Sequence, residues 1–146
     1  RGCYEEEDNV RRFLIATHGR FATGIMDSVN LISGRHENVE CYCAFLNGCE
    51  DLDTNLAAIL DSYGPQDEVI AVTDLLGGSV CSALLRQLSR PNLHILAGLN
   101  LPLMLALLDA EDAPLDEMLG TALQFGKQAV CYCNEAMKQT VEEDAF

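Results

Sequence analysis

The sequence lacks tryptophan and is poor in basic side chains. Its 9 lysines and arginines stand against 23 aspartates and glutamates, which gives a net charge of −14 at pH 7. A chain this acidic repels the phosphate backbone of nucleic acids and the surface of anionic membranes. Nucleic acid and membrane surface are therefore poor hypotheses for its partners, and a protein with a basic docking face fits better.

The sequence also lacks a hydrophobic run long enough to cross a bilayer. Its most apolar stretch, residues 93–108, contains His94, Asn100 and Pro102, and a membrane-spanning helix needs about 20 apolar residues. Residues 1–9 carry an acidic run where a signal peptide needs a basic start and an apolar centre. We therefore expect no transmembrane helix, an acidic N-terminal tail at residues 1–9 and a cytoplasmic protein.

Nucleotide-binding and metal-binding motifs are missing as well. Neither G-x-G-x-x-G nor G-x-x-x-x-G-K-[ST] occurs, which argues against dinucleotide and P-loop sites. The seven cysteines are odd in number and lie mostly in apolar runs, so we expect reduced thiols and not a disulfide framework. Two C-x-C pairs, Cys41/Cys43 and Cys131/Cys133, are spaced more closely than the ligands of most structural zinc sites. We assign both pairs to core packing and predict no metal and no cofactor.

What the sequence does contain is a regular alternation of strand and helix patterns. Strands are predicted at 12–17, 38–45, 68–73 and 93–99, and helices at 23–31, 52–63, 79–88, from Asn100-Leu101-Pro102 onward, and at 115–125. This alternation predicts one α/β domain at residues 10–133, followed by a polar tail at 134–146. We expect a doubly wound, mainly parallel sheet of order 2-1-3-4 with helices on both faces. A short apolar stretch at residues 128–133 could add a last strand.

Two of these strands end in polar side chains beside glycine turns. Residues 13–24, F-L-I-A-T-H-G-R-F-A-T-G, end their apolar run at His18-Gly19, and the third strand is followed by Asp74 and then L-L-G-G-S. In the order 2-1-3-4, strands one and three are neighbours at the point where the strand order reverses, and ligands bind at that point. We therefore expect His18 and Asp74 to face each other at the carboxyl edge of the sheet.

This pair of residues suggests phosphoryl transfer. A neutral imidazole is a nucleophile near neutral pH, and a carboxylate bonded to one ring nitrogen fixes the tautomer and stabilises positive charge on the ring. We predict that His18 accepts a phosphoryl group, that Asp74 orients it, and that Ser79 also serves as the N-cap of the third helix. The candidate phosphate-binding residues in the two turns are Thr17, Gly19, Thr73, Gly77, Gly78 and Ser79. Taken singly, a histidine or aspartate at a strand end often only caps a turn, so that interpretation stays open.

Three segments resemble one protein family. These are A-T-H-G-R-F-A-T-G at residues 16–24, T-D-L-L-G-G-S at 73–79 and A-G-L-N-L-P-L at 97–103. In order and spacing they are similar to the IIA component (EIIA domain) of the mannose/fructose/sorbose family of the bacterial phosphoenolpyruvate-dependent sugar phosphotransferase system. The resemblance implies a phosphorylated histidine at His18 and a hydrogen-bonded aspartate at Asp74. It also implies a four-stranded parallel sheet and a final antiparallel strand, at residues 128–133, exchanged in a homodimer.

The same resemblance implies a role and partners. His18 would accept a phosphoryl group from the histidine-containing phosphocarrier protein and pass it to the IIB component during sugar uptake. Membrane permease subunits would take part indirectly and would select the sugar. We expect the partner-docking rim at Leu75, Leu76, Asn100, Leu101 and Pro102.

The sequence departs from the family pattern after the glycines of the second turn. The family commonly continues G-G-S-P with an asparagine shortly after, whereas this chain reads G-G-S-V-C-S, with Val80 and Ser82. Two other functions therefore stay in view. One is the phosphoryl-donor subunit of a dihydroxyacetone kinase system, which shares the fold and the histidine, and the other is a non-catalytic, flavodoxin-like regulatory module.

Overall fold

A computed structural model describes residues 10–144 of the protein. In these residues four strands alternate with the first four of six helices. The strands are β1 (Arg11–His18), β2 (Val39–Ala44), β3 (Glu68–Thr73) and β4 (Leu93–Ala97). The helices are α1 (Phe21–Ser33), α2 (Leu52–Asp61), α3 (Ser79–Leu85), α4 (Leu101–Asp109), α5 (Leu115–Gln128) and α6 (Cys133–Asp144). Within this part of the chain, no helix is both long enough and apolar enough to span a membrane.

The four strands form one parallel sheet in the predicted order β2-β1-β3-β4. The register pairs His18 at the end of β1 with Ala44 at the end of β2, and it pairs Ala16 with Thr73 at the end of β3. Because parallel strands bring their carboxyl ends to one edge of a sheet, the residues that follow β1, β2 and β3 lie together there. The edge predicted to carry the site is therefore formed by three consecutive strand ends.

The central strands each contain a continuous apolar run because both of their faces are covered there. Phe13, Leu14 and Ile15 in β1 are fully buried, as are Ile70 and Val72 in β3, and a strand buried on both faces reads as a continuous hydrophobic run. On one face, α2 and α3 pack on the sheet in a cluster that includes Leu14, Ala16, Leu56, Ala71, Val80 and Leu84. Helix α1, which contributes nothing to that cluster, contacts β1 and β2.

The chain forms two compact units. The first ends at Asn100 and holds the sheet with α1, α2 and α3, and the second begins at Leu101. In the second unit α4 and α5 pack together and bury Met104, Leu107 and Met118. The predicted domain boundary at residue 133 remains a prediction. The polar tail predicted from residue 134 is helical as far as Asp144, and the acidic tail at 1–9 lies outside the described residues.

Helix α3 is shorter than the sequence predicts. It ends at Leu85 instead of Leu88, and its N-cap is Gly78, so the prediction that Ser79 caps this helix is wrong. Beyond Leu85 the backbone continues in three-residue turns, in which the N–H of Leu88 donates to the carbonyl of Leu85 at 3.2 Å. Leu88 is 50% exposed, so burial of its side chain does not stabilise a helix that extends this far.

Residues 128–133 form no strand in the single chain, so the predicted last strand is not seen within one copy. Gln128 ends α5, residues 129–132 are neither helix nor strand, and Cys133 begins α6. The helical pattern of α5 continues through Lys127, and a lone extended segment would leave its backbone N–H and C=O groups unpaired. Exchange of this segment between two copies remains a prediction.

The C-x-C pairs do not pack in the core as predicted. Cys131 and Cys133 are exposed beside the end of α5, with their sulfur atoms 3.8 Å apart, because the segment is not a strand with one buried face. Cys41 and Cys43 are half-buried in β2. Burial is the main cause that raises the pKa of the Cys41 thiol, to about 11. Electrostatic repulsion from Cys43, and then from the neighbouring carboxylates, acts in the same direction. In the described part of the chain, no three His, Cys, Asp or Glu side chains are grouped to hold a metal ion.

Candidate functional site

The chain turns sharply after β1, which leaves His18 at the edge of the sheet. Gly19 has a φ of +57°, a left-handed conformation that glycine adopts without steric strain. Its N–H donates to the carbonyl of Ala44 at 2.8 Å, and the Thr17 hydroxyl accepts the N–H of Ala22 at 2.9 Å near the start of α1. These two bonds fix the backbone on either side of His18, which is itself 42% exposed.

Asp74 meets His18 at the end of the adjacent strand, as the predicted strand order requires. Oδ2 of Asp74 accepts the backbone N–H of His18 at 2.9 Å and lies 2.9 Å from Nδ1 of its ring. The other oxygen, Oδ1, accepts the N–H of Leu75 at 2.9 Å. The carboxylate therefore holds both the backbone and the ring of His18, while the catalytic roles of the two residues remain predictions.

These contacts define the protonation of the neutral imidazole. Because ionised Asp74 can only accept a hydrogen bond from Nδ1, the neutral ring carries its hydrogen there and leaves a lone pair on Nε2. The Ser79 hydroxyl lies 3.2 Å from Nε2 and donates to that lone pair. The lone pair of the neutral imidazole thus lies on Nε2, and Ser79 is the residue that covers it.

Asp74 is the charged partner in this pair. Burial would raise the pKa of its carboxyl, but the hydrogen bonds from the N–H and ring of His18 and the charge of that ring lower the pKa overall. Only 14% of the Asp74 side chain is exposed. The carboxylate is therefore ionised at neutral pH and can stabilise positive charge on the imidazole.

The glycine turn after β3 passes close to the ring. A Cβ at Gly78 would lie 3.2 Å from the carbonyl oxygen of Leu75 and 3.4 Å from Cε1 of His18. The N–H of Gly78 is bonded to that same carbonyl at 3.1 Å. Within residues 10–144, by contrast, the N–H groups of Leu76 and Gly77 have no acceptor. Two backbone donors of this turn are therefore not used by the described part of the protein.

The predicted phosphate-binding residues fall into two groups. In the first group, the Ser79 hydroxyl contacts His18, and the N–H of Gly77 has no acceptor among the described residues. Thr17 and Thr73 are fully buried, and the Thr73 hydroxyl lies 3.3 Å from Oδ1 of Asp74. Their hydroxyls, like the N–H groups of Gly19 and Gly78, are engaged within the protein. In this conformation these four residues support the walls of the site.

The predicted docking residues differ in their exposure. Leu75 and Leu76, in the turn that carries the site, are 60% and 78% exposed. Asn100 is half-buried, and its side-chain amide donates to the carbonyl of Gly98 at 3.0 Å. Leu101 and Pro102 are half-buried at the start of α4. Two apolar side chains next to the site are therefore open to a partner.

Two residues that the sequence did not single out complete the surroundings of His18. The Phe45 ring lies 5.7 Å from the imidazole, centroid to centroid, at an angle of 35°. Glu50 accepts the backbone N–H of Phe45. The only signal in the sequence was that Phe45 follows the residue paired with His18 in the parallel register, and that register is known only once the strands are aligned.

Comparison with known proteins identifies relatives over most of the chain. A family model described as "PTS system fructose IIA component" matches residues 12–122. The sorbose-specific EIIA component of the PTS from Klebsiella pneumoniae is 31% identical over 134 residues, which is 90% of this chain and 96% of that protein. The mannose-specific EIIAB component from Escherichia coli (strain K12) is 28% identical over 122 residues, and the match covers 80% of this chain but 38% of that longer protein.

Solved structures agree with these relatives. A proposed sugar phosphotransferase system permease from Klebsiella pneumoniae has a TM-score of 0.84 at 36% identity, with 90% of this chain and 96% of that chain covered. The mannose/sorbose-specific IIA subunit from Enterococcus faecalis has a TM-score of 0.68 at 27% identity, with 84% and 94% covered. Since the family model spans most of the chain and a relative above 30% identity matches it nearly end to end, the chain belongs to the mannose-type EIIA family of the bacterial sugar phosphotransferase system.

Proposed function

We propose that this protein is a phosphocarrier in which Nε2 of His18 accepts a phosphoryl group from the histidine-containing phosphocarrier protein and passes it to the IIB component. The observation that carries this proposal is the 2.9 Å contact between Nδ1 of His18 and Asp74. That contact leaves Nε2 as a free nucleophile and supplies a negative charge for the ring once it has reacted. Membership of a family of phosphotransferase-system components supports the same chemistry.

The transfer step moves a phosphoryl group between two imidazoles. The Nε2 lone pair attacks phosphorus, the phosphorus–nitrogen bond to the donor histidine breaks, and its electron pair returns to the donor nitrogen. The hydrogen on Nδ1 of His18 stays in its bond to Asp74, and the ring becomes positively charged beside that carboxylate. Transfer to IIB is the same step in reverse, so the site only has to stabilise charge and hold geometry.

The phosphoryl oxygens need donors that the glycine turn can supply. Ser79 must leave the Nε2 lone pair before attack, and its hydroxyl then lies within reach of an oxygen on the new phosphoryl group. The N–H groups of Leu76 and Gly77 are the further donors that we propose, since charge-assisted bonds to such oxygens are the strong ones. A histidine acceptor with these donors requires no metal and no organic cofactor, and we propose none.

Partner docking and location extend the proposal. Exposed Leu75 and Leu76 give an apolar contact beside the site, and a net charge of −14 steers basic partners toward the chain. The cysteines of the described residues are free thiols, which supports a reducing, cytoplasmic compartment.

We also propose that the protein is a homodimer. The segment from the end of α5 to α6 exposes several large apolar side chains, which are Phe125, Val130, Tyr132, Met137 and Val141, at 58%, 86%, 66%, 62% and 64%. An apolar surface of this kind is typical of an interface. A second copy of the chain would cover it and would also supply the strand partner that residues 128–133 need.

The direct test of the proposed function is phosphorylation by the purified, phosphorylated carrier protein. We expect one acid-labile, base-stable phosphoryl group on the wild type and none on His18→Ala. The matched control is His36→Ala, because His36 lies outside the site with its ring bonded to Ser33 at 3.1 Å, and this variant should be labelled normally. Persistent label on a folded His18→Ala protein would remove His18 as the acceptor.

A second measurement separates the proposed function from the two alternatives. The phosphorylated protein is mixed either with a IIB component or with the nucleotide-binding subunit of a dihydroxyacetone kinase system. We expect IIB to remove the phosphoryl group and the kinase subunit to leave it in place. Discharge only by the kinase subunit would favour the donor-subunit hypothesis, and a folded wild type that is never labelled would favour a non-catalytic module.

A further inference from the structure

The loop after β2 contains a conformation that needs a physical cause. Phe45 has a φ of +65° and is the one residue other than glycine with a positive φ in the described part of the chain. A bulky side chain disfavours this region sterically, so such a residue persists only when its surroundings hold it there. Its position beside the proposed phosphoryl acceptor makes this outlier a candidate for a functional constraint.

Glu50 is the group that holds this backbone. One oxygen of its carboxylate accepts the N–H of Phe45, and the other accepts the Tyr42 hydroxyl and the Asn55 side-chain amide, the latter at 2.9 Å. The bond from Tyr42, and then the one from Phe45, lowers the pKa of Glu50, so the carboxylate is ionised at neutral pH. A charged, three-way hydrogen-bonded carboxylate thus fixes the first residue of the loop.

The side chain that this loop presents lies against the imidazole. The rings of Phe45 and His18 are 5.7 Å apart at 35°. The preceding residue, Ala44, is paired with His18 in the sheet and accepts the N–H of Gly19 at 2.8 Å. The backbones on both sides of the ring contact are therefore tied together, so the position of the Phe45 ring relative to the imidazole is set by the fold.

The hydrogen bonds at the two ring nitrogens do not hold the imidazole against tilting throughout the proposed reaction. Asp74 holds Nδ1, and Ser79 holds Nε2 only until the phosphoryl group arrives. Once Ser79 leaves, the ring can tilt about its remaining bond to Asp74 unless something packs against its face. Phe45 is in position to oppose that tilt.

We propose that Phe45 is a positioning residue for the phosphoryl-accepting imidazole of His18 and that Glu50, through the backbone N–H of Phe45, keeps its ring in place. This inference rests on the proposed function of His18. It assigns Phe45 and Glu50 no contact with the phosphoryl group and no part in the chemistry. Their effect is on the fraction of time that Nε2 points to the incoming phosphorus.

The first test removes the ring without straining the backbone. Phe45→Gly suits a φ of +65°, because glycine adopts it freely, and Phe45→Leu keeps apolar volume without a flat ring. We expect both variants to be phosphorylated about two- to tenfold more slowly, the range that one aromatic contact supports. Leu31→Ala, which removes an apolar side chain that is 89% exposed in α1, is the control and should react at the wild-type rate.

A spectroscopic readout reports on the imidazole without any phosphoryl donor. In nitrogen NMR spectra of the full chain, we expect wild-type His18 to show one neutral tautomer with its hydrogen on Nδ1. In Phe45→Gly we expect the Nδ1 hydrogen to exchange with water faster and the two nitrogen signals to move toward each other. A merely structural role in the loop would leave these signals unchanged.

Glu50 is tested by a double-mutant cycle. Glu50→Gln keeps the shape of the side chain but removes its charge, and we expect it to reproduce the spectral change of Phe45→Gly in part. In the Phe45→Gly background the same substitution should add nothing, because glycine needs no stabilising partner and carries no ring. Additive effects of the two substitutions would contradict the proposed link between Glu50 and His18.

The inference and the proposed function fail in different ways. If wild type is labelled at His18 but Phe45→Gly matches it in both rate and spectrum, the positioning role is wrong and the phosphocarrier function stands. If His18→Ala is phosphorylated to the same extent as the wild type, the proposed function is wrong. A changed spectrum in Phe45→Gly would in that case still support the contact between the Phe45 and His18 rings.

Discussion

At the scale of single residues, one carboxylate determines the tautomer of the His18 imidazole. Oδ2 of Asp74 accepts two hydrogen bonds from His18, one from its backbone N–H and one from Nδ1–H of its ring, each at 2.9 Å. A single oxygen thus fixes where the histidine sits and which of its nitrogens carries hydrogen. Because the two bonds share one acceptor, the tautomer of His18 depends on the charge at residue 74 and on the length of its side chain.

Asp74→Asn should therefore slow phosphorylation strongly while leaving the fold intact. The amide can turn an N–H toward Nδ1, which favours the tautomer with hydrogen on Nε2 and removes the lone pair that attacks. We expect the initial rate of label incorporation to fall roughly 10²-fold or more, as for other lost acid–base orienting groups. Asp53→Asn makes the same charge change at an exposed ion pair with Arg86 and should keep the wild-type rate.

The central pair of this site was accessible from the sequence, whereas its supporting residues were not. His18 and Asp74 each follow a buried strand and precede a glycine turn, a pattern that strand order turns into proximity. Phe45 has an unusual backbone φ, and the Glu50 carboxylate accepts the N–H of Phe45, five residues before it. Neither leaves a periodic signal in the sequence, so only the folded backbone reveals them.

At the scale of elements, Asp67 ties the amino-terminal edge of the sheet together. Its buried carboxylate accepts the Nε of Arg12 at 2.6 Å, the N–H of Gly64 at 2.8 Å and the N–H of Val10 at 3.1 Å. These bonds join the starts of β1 and β3 to the turn that follows α2. This edge is opposite to the one that carries His18, so its stability can be changed without touching the site.

Asp67→Asn should lower the free energy of unfolding by about 1–3 kcal/mol, because an amide leaves part of this buried set without a partner. The measurement is denaturant unfolding at neutral pH. Arg86→Ala breaks an ion pair whose side chains are 57% and 50% exposed, and for such a pair we expect a loss of less than about 1 kcal/mol. Equal losses in the two variants would contradict the role given to Asp67.

The same carboxylate predicts how stability depends on pH. The hydrogen bond from Arg12 is the main cause that lowers the pKa of Asp67 in the folded protein. Burial opposes this shift, and two backbone N–H groups add to it. Its contribution is therefore complete above the unfolded value of about 3.9 and is lost as the pH falls through the lower folded value. Unfolding free energies measured from pH 6 downward should converge for wild type and Asp67→Asn in acid.

Element order was easier to predict than element ends. β3 begins at Glu68 and ends at Thr73, as predicted from the apolar run at 69–72 that it contains, and the parallel order follows from the alternation of strands and helices. The end of α3 was missed, and so was the irregular conformation of residues 129–132 in the single chain. Both depend on what surrounds a segment, namely exposure at Leu88 and, at 128–133, the partner backbone that a strand requires.

At the scale of the whole molecule, the second unit presents the strongest sign of association. The described residues of α6 up to Val141 are exposed, and so are Val130 and Tyr132 before it. Isolated apolar side chains on a surface are ordinary, but several in one segment are not. The proposed homodimer would cover these side chains.

Light scattering on the full chain tests this proposal. We expect the wild type to have the mass of two chains and Val130→Glu, which places a charge in the apolar segment, to shift toward the mass of one. Leu31→Glu is the matched control, since Leu31 in α1 is 89% exposed and Val130 is 86% exposed, and it should remain dimeric. A wild type that stays monomeric at high concentration would overturn the homodimer.

The central claim is that Nε2 of His18 is the nitrogen that carries the phosphoryl group. It is tested most directly by phosphorus–nitrogen correlation NMR on the nitrogen-labelled protein after phosphorylation by the carrier. Since Asp74 keeps the hydrogen on Nδ1, we predict that phosphorus couples to Nε2 of His18 and that the Nδ1 hydrogen remains. Coupling to Nδ1, or to a nitrogen of any other residue, would contradict this account.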